Sequence, residues 1–162
     1  MSLQIFVTGG TFDKKYNEID GTLSFDQTHV SELLDLGRCQ LKVEITTLML
    51  VDSLDMTEAS RELILTHCAT TPAQHIVITH GTDTMVETAQ LLGEKMAGKT
   101  IVLTGAMIPF TFGSSDGLFN MGCALAFAQT LPSGVYVAMN GRCFHWNNVR
   151  KNRLLGRFEE NK

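Results

Sequence analysis

Apolar runs of strand length alternate along the chain with longer segments in which apolar residues recur at helical spacing. Leu3, Ile5, Phe6 and Val7 form a short strand-like run that ends at Gly9-Gly10. Residues 29–36 carry apolar side chains at 30, 33, 34 and 36 and precede Gly37, the pattern of a helix with a glycine stop. Segment 41–47 is β-branched and strand-like, 57–70 reads as a helix, and His75-Ile76-Val77-Ile78 lies in a short buried strand over 74–79. A broad apolar stripe over 84–96 predicts another helix; 100–103 reads as a strand, 118–131 as a helix and 135–139 as a strand. Strands that alternate with helices require crossover connections, which are right-handed. The expectation is a three-layer α/β fold: a mostly parallel twisted sheet with helices on both faces. Its active site belongs at the C-terminal ends of the strands.

Two stretches fall outside this rhythm. Residues 12–27 are polar and follow the first strand directly, and loops of that length are usually functional or mobile. The basic tail from Arg150 to Lys162 has no clear period and reads as solvated surface. No repeat or linker divides the chain, and its 162 residues correspond to one domain over 1–162. At 44% hydrophobic and 19% charged, the composition excludes intrinsic disorder. A net charge of −4 gives no basic surplus for phosphates, so nucleic acid is not an expected partner. The first apolar run lacks the basic start of a signal peptide, and nothing approaches the ~20 apolar residues of a membrane helix. Cys39, Cys68, Cys123 and Cys143 are widely spaced, as reduced thiols are, and a cytoplasmic location is expected.

The unusual residues cluster just after the strands. Thr8-Gly9-Gly10-Thr11 follows the first, Ser53-Leu54-Asp55-Met56 the second, His80-Gly81-Thr82-Asp83-Thr84 the third and Thr104-Gly105-Ala106-Met107 the fourth. The glycine loop is neither a dinucleotide fingerprint nor a P-loop, which counts against a nucleotide-binding domain. It is either a tight turn or a nucleophile loop: the Thr11 hydroxyl attacks only if a base takes its proton, and Tyr16 is the nearby candidate in sequence. Thr84 with Glu87 fits a capping box, which leaves Thr82 and His80-Gly81 without a role. Ser114-Ser115-Asp116-Gly117 reads as a turn and helix cap, and Lys151 by composition as a surface lysine. The five histidines show no ligand spacing, and no metal or cofactor is expected.

Taken together and in order, four motifs resemble the bacterial-type L-asparaginases: Thr8-Gly9-Gly10-Thr11, His80-Gly81-Thr82-Asp83-Thr84-Met85, Thr104-Gly105-Ala106-Met107-x-Pro109 and Ser115-Asp116-Gly117-x-x-Asn120. The likeness runs from about residue 3 to residue 158 and corresponds to a short, single-domain type. It implies a cofactor-free amidohydrolase that converts L-asparagine to L-aspartate and ammonia. Thr11 would be the nucleophile of an acyl-enzyme, Tyr16 its activator, and Thr82, Asp83 and Lys151 a second hydroxyl–carboxylate–amine group, with Lys151 matching the family position better than Lys99. Gly10 would lie at the substrate, Ser53 would bind its α-carboxylate, Asp83 its α-amino group and the Ala106 carbonyl its side-chain amide. Leu54 stands where larger members place glutamine, and weak glutamine hydrolysis follows. A homodimer or homotetramer is expected. The alternative is a catalytically inactive amino-acid-binding module of the same fold.

Overall fold

The computed structural model describes residues 2–162. Its central sheet is built from β1 (Leu3–Gly9), β4 (Val43–Val51), β5 (His75–Thr79), β6 (Thr100–Thr104), β7 (Gly134–Met139) and β8 (Arg142–His145). Their order is β4-β1-β5-β6-β7-β8; the first five strands run parallel and β8 is antiparallel to β7. β1 therefore lies between the next two strands of the chain's central sheet. Chain direction across the sheet reverses there, and the crevice outside the carboxyl ends of β1 and β5 is the natural ligand position.

Four helices cover the sheet: α1 (Val30–Leu36), α2 (Glu58–Thr70), α3 (Met85–Lys95) and α4 (Gly117–Thr130). Ile64 and Cys68 of α2 and Met85, Ala89 and Leu92 of α3 pack on Ile76, Ile78, Ile101 and Leu103. Val30 and Leu33 of α1 and Met121, Ala124 and Ala128 of α4 pack on Ile5, Val7, Val77 and Val102 from the other side. The alternation of Ile76, Val77 and Ile78 between these clusters is the period-2 pleat of a strand buried on both faces. Thr8 and Thr104 extend the buried strands by donating to the Thr79 and Ala138 carbonyls at 2.7 and 2.8 Å, which satisfies hydroxyls that burial would otherwise strand.

Both stretches outside the rhythm are β-hairpins. Residues 12–27 do not form a structureless loop. After a 3-10 turn at Thr11–Asp13, β2 (Lys14–Asn17) pairs antiparallel with β3 (Thr22–Phe25). The turn is set by side chains: Asn17 accepts from the Ile19 amide and Asp20 from the Thr22 amide, each at 3.0 Å, and Gly21 takes φ 72°. The tail likewise folds back as β9 (Arg150–Asn152) and β10 (Arg157–Glu159). Val149 and Phe158 enter the core and seat this ribbon.

The capping box also lies elsewhere. Thr84 precedes α3 without capping it, because its hydroxyl donates instead to the Ser53 carbonyl at 2.8 Å. Thr57 and Ser60 form the reciprocal pair at the start of α2.

Candidate active site

The site begins with main chain, because side chains are excluded from its floor. Gly10 has φ 77°, and a Cβ there would lie 2.4 Å from both N and Cα of Gly81. A Cβ on Gly81 would lie 2.6 Å from Ser53 Oγ, and one on Gly105 would lie 2.3 Å from the His80 carbonyl oxygen. The loops after β1, β5 and β6 thus touch backbone to backbone, and the Ser53 side chain of the loop after β4 packs against Gly81, a closeness open only to glycine. Ser53 is buried and bridges two of them: its Oγ accepts from the Thr84 amide at 3.3 Å.

On this floor stand three polar side chains. Lys151 Nζ donates to Thr82 Oγ1 at 2.7 Å and to Asp83 Oδ1 at 2.8 Å. The lysine side chain is 11% exposed and the aspartate 34%, so the ion pair is partly shielded from water. Arg153 adds a contact to the Asp83 carbonyl at 3.3 Å. Hydroxyl, carboxylate and ammonium come together although Lys151 is 69 residues from Thr82 and 68 from Asp83. Lys99 is remote from this group: it donates to the Cys68 carbonyl at 2.8 Å and to that of Thr71, closing the C-terminal end of α2.

Thr11 opens the 3-10 turn directly after Gly10 and is half-buried. The Gly10 amide donates to Val51 at 2.9 Å and is committed there. In this loop the amides of Thr11 and Phe12 are the ones that no carbonyl within the turn can reach. Tyr16 is not brought to the cluster. It is 54% exposed on β2, and its hydroxyl lies 3.9 Å from where a Gly21 Cβ would stand, over the tip of its own hairpin. Lys14 ties the base of that hairpin to Asp52, and its ammonium, with the Leu54 amide, holds the Asp52 carboxyl below its ordinary value.

Ala106 is buried at the end of β6, and its loop is held by the fourth motif. Asp116 accepts from the Met107 amide at 3.0 Å and the Ile108 amide at 3.1 Å, while Asn120 donates to the Gly105 carbonyl at 2.9 Å. Burial opposes ionisation of Asp116, but its hydrogen bonds outweigh that and leave the carboxyl below the ordinary value. Asp116 is thus a loop clamp more than a helix cap. Leu54 is 62% exposed at the rim. Among the described residues, no group of three or more His, Cys, Asp or Glu is arranged to hold a metal.

One buried group has no place in the sequence reading. His80 is fully enclosed and burial pushes its pKa down to about 4, so the ring is neutral at pH 7. Nδ1 lies 2.7 Å from the Gly81 carbonyl oxygen and Nε2 2.8 Å from Thr88 Oγ1. The signal in the sequence was slight: an imidazole at the end of an apolar strand, a position where burial demands partners.

Residues 2–157 match the family described as Asparaginase, N-terminal. The chain belongs to the asparaginase family. The L-asparaginase of Thermococcus kodakarensis is 30% identical over 164 residues, a match that covers 96% of this chain and 49% of the relative. The thermostable L-asparaginase structure from that organism superposes with a TM-score of 0.84 over 99% of this chain and 51% of the other. L-asparaginase I from Vibrio cholerae O1 biovar eltor gives a TM-score of 0.86 at 29% identity, with 99% and 51% covered. A protein named glutaminase-asparaginase from Acinetobacter glutaminasificans is 45% identical over 80 residues, 47% of this chain and 24% of the relative. The asparaginase-family chain described here spans about half the length of the Thermococcus and Vibrio proteins it resembles.

Proposed function

We propose that this asparaginase-family chain hydrolyses the side-chain amide of L-asparagine to L-aspartate and ammonia. The observation that carries the reading is Lys151 donating at once to Thr82 at 2.7 Å and Asp83 at 2.8 Å, beside the glycine loop that presents Thr11. The Thr11 oxygen attacks the amide carbon, and its proton passes to the departing nitrogen. The C–N bond breaks to give ammonia and a β-aspartyl ester, which water then hydrolyses, restoring the hydroxyl. Lys151 and Asp83 set the field in which the Thr82 hydroxyl relays that proton, and the amides of Thr11 and Phe12 are available to the developing oxyanion. Ser53 serves the α-carboxylate, Asp83 the α-ammonium and the Ala106 carbonyl the amide nitrogen, with the Gly10 backbone against the substrate. Tyr16 joins Thr11 when the β2–β3 hairpin closes, which also excludes water.

The residue set fits within one N-terminal-type domain. Leu54 offers the substrate no polar group at the rim, so glutamine, one methylene longer, is the poorer substrate. A homodimer or homotetramer supplies the surface that covers the exposed hairpin residues Tyr16 and Leu23. The thiols of Cys39, Cys68, Cys123 and Cys143 are free, which supports the reducing cytoplasm as its location. The binding-only alternative is not favoured, because nucleophile, hydroxyl, carboxylate and amine are all present.

Ammonia release from L-asparagine by the purified chain tests the reading. Release is expected from the wild type and a loss of at least about a hundredfold in both Thr11→Ala and Thr82→Ala. Absence of release, or release unchanged in both variants, overturns it.

A further inference from the structure

Four groups behind the site form a hydrogen-bonded line whose direction is set from the Gly81 end. Arg61 can only donate, and its Nε lies 3.1 Å from Thr88 Oγ1, so the Thr88 oxygen accepts. The Gly81 carbonyl can only accept, so the ring nitrogen 2.7 Å away, His80 Nδ1, carries hydrogen. In a neutral imidazole the other nitrogen is then bare, and Nε2 accepts the Thr88 hydroxyl proton at 2.8 Å. The Gly81 carbonyl specifies the tautomer, and the Arg61 end is compatible with it, since the Thr88 oxygen accepts from Arg61 while its own proton goes to Nε2. The line starts at the surface, where Arg61 also pairs with Glu87 at 3.2 Å, and ends on the carbonyl that precedes Thr82.

That carbonyl has little other freedom. The His80 amide is held by the Thr104 carbonyl at 2.8 Å, and Gly81 is wedged between Gly10 and Ser53. The peptide plane that joins Gly81 to Thr82 is therefore set by the imidazole, and with it the direction in which Thr82 and Asp83 leave for Lys151. We propose that His80 is a positioning residue for the Thr82–Asp83–Lys151 group, acting as a neutral Nδ1–H strut that Arg61 and Thr88 keep in register. His80 does not touch substrate. The inference rests on the asparaginase reading only for its kinetic consequence; the strut itself is a statement about the ring.

Nitrogen-15 NMR of the intact chain at pH 7 tests the strut directly. A protonated Nδ1 with a bare Nε2 is expected; the opposite tautomer or an imidazolium overturns it. In asparagine hydrolysis, His80→Leu is expected to lower kcat/KM roughly a hundredfold, because small misplacements in a site are costly. His80→Asn places an amide NH2 where Nδ1–H stood and is expected to recover about tenfold of that loss. Equal losses in the two variants, or none in either, overturn the proposal. Thr88→Val, of nearly the same shape, keeps it falsifiable if His80→Leu does not fold: the tautomer preference is expected to weaken and kcat/KM to fall, and no change in either counts against the strut. An inactive wild-type chain would instead defeat the asparaginase reading. The strut is then decided by the tautomer and by amide exchange at Thr82 and Asp83, expected faster in His80→Leu than in His80→Asn.

Discussion

Gly10 and Gly81 meet with no side chain between them, since a Cβ on Gly10 would fall 2.4 Å from the Gly81 Cα. The contact joins the loops after β1 and β5 and fixes the distance between the Thr11 hydroxyl's loop and the Thr82–Asp83 pair. An alanine at position 10 must bear both the positive φ of 77° and the clash. Gly10→Ala is expected to cost roughly 2–5 kcal/mol from these two sources and to separate the loops. Urea unfolding together with asparagine turnover measures both effects.

Lys151 and Lys99 form a matched pair for separating chemistry from support. Lys151→Met removes the donor to Thr82 and Asp83 and is expected to reduce kcat by about 10²–10⁴, the range for loss of a proton-transfer group. Lys99→Met removes bonds to the carbonyls of Cys68 and Thr71 and is expected to lower stability by about 1–3 kcal/mol while leaving kcat intact. Parallel kinetics and denaturation of the two variants would show the crossed pattern; the opposite pattern would exchange the lysines' roles.

The neutral buried ring of His80 makes the fold sensitive to moderate acid. Its ordinary value is 6.5 and its folded value about 4. Above pH 6.5 neither state binds the proton and the contribution is complete. Between pH 6.5 and about 4 the unfolded chain binds a proton that the folded chain refuses, so stability falls on acidification, by about 3 kcal/mol at the lower end. Asp52 and Asp116, held below 3.8, lose their contributions at lower pH, and Asp13, raised by burial, acts in the opposite sense. Urea unfolding at a series of pH values in wild type and His80→Asn isolates the histidine, and the variant's curve is expected to be flatter in this window.

Thr57→Ala removes one half of the capping box with Ser60 at the start of α2, away from the candidate site. A loss of about 1 kcal/mol is expected, with asparagine turnover unchanged. The urea midpoint and kcat report the two quantities separately.

The parallel core was legible because β1, β5 and β6 are buried on both sides and must be almost uniformly apolar. Their ends located the site, since a ligand crevice follows from strand direction. The two hairpins were not legible by the same means. Lys14–Asn17 and Arg150–Asn152 are polar and lie outside the central sheet, so they have no apolar face to reveal their period. The meeting of Lys151 with Asp83 is a fact of tertiary structure, and only the likeness to a family pointed to it. Thr84 looked like a cap because a threonine three residues before a glutamate usually is one; Ser53 competes for its hydroxyl and wins. His80 is hard to read from sequence because a single imidazole has no spacing to read, and its partner Thr88 and the Arg61 beyond it lie on two different helices.

The position of Lys151 along the chain has a consequence for the order of events during synthesis. Translation releases the N-terminal side first, so all six strands of the central sheet leave the ribosome before the ribbon carrying the lysine does. A nascent chain can therefore assemble its scaffold, glycine floor and Thr82–Asp83 pair while still lacking the ammonium that organises them. The three-residue group is complete only when Val149 and Phe158 seat the ribbon and bring Lys151 into place. The Thr82–Asp83 pair thus waits for its ammonium until the ribbon has been made, with shape preceding charge.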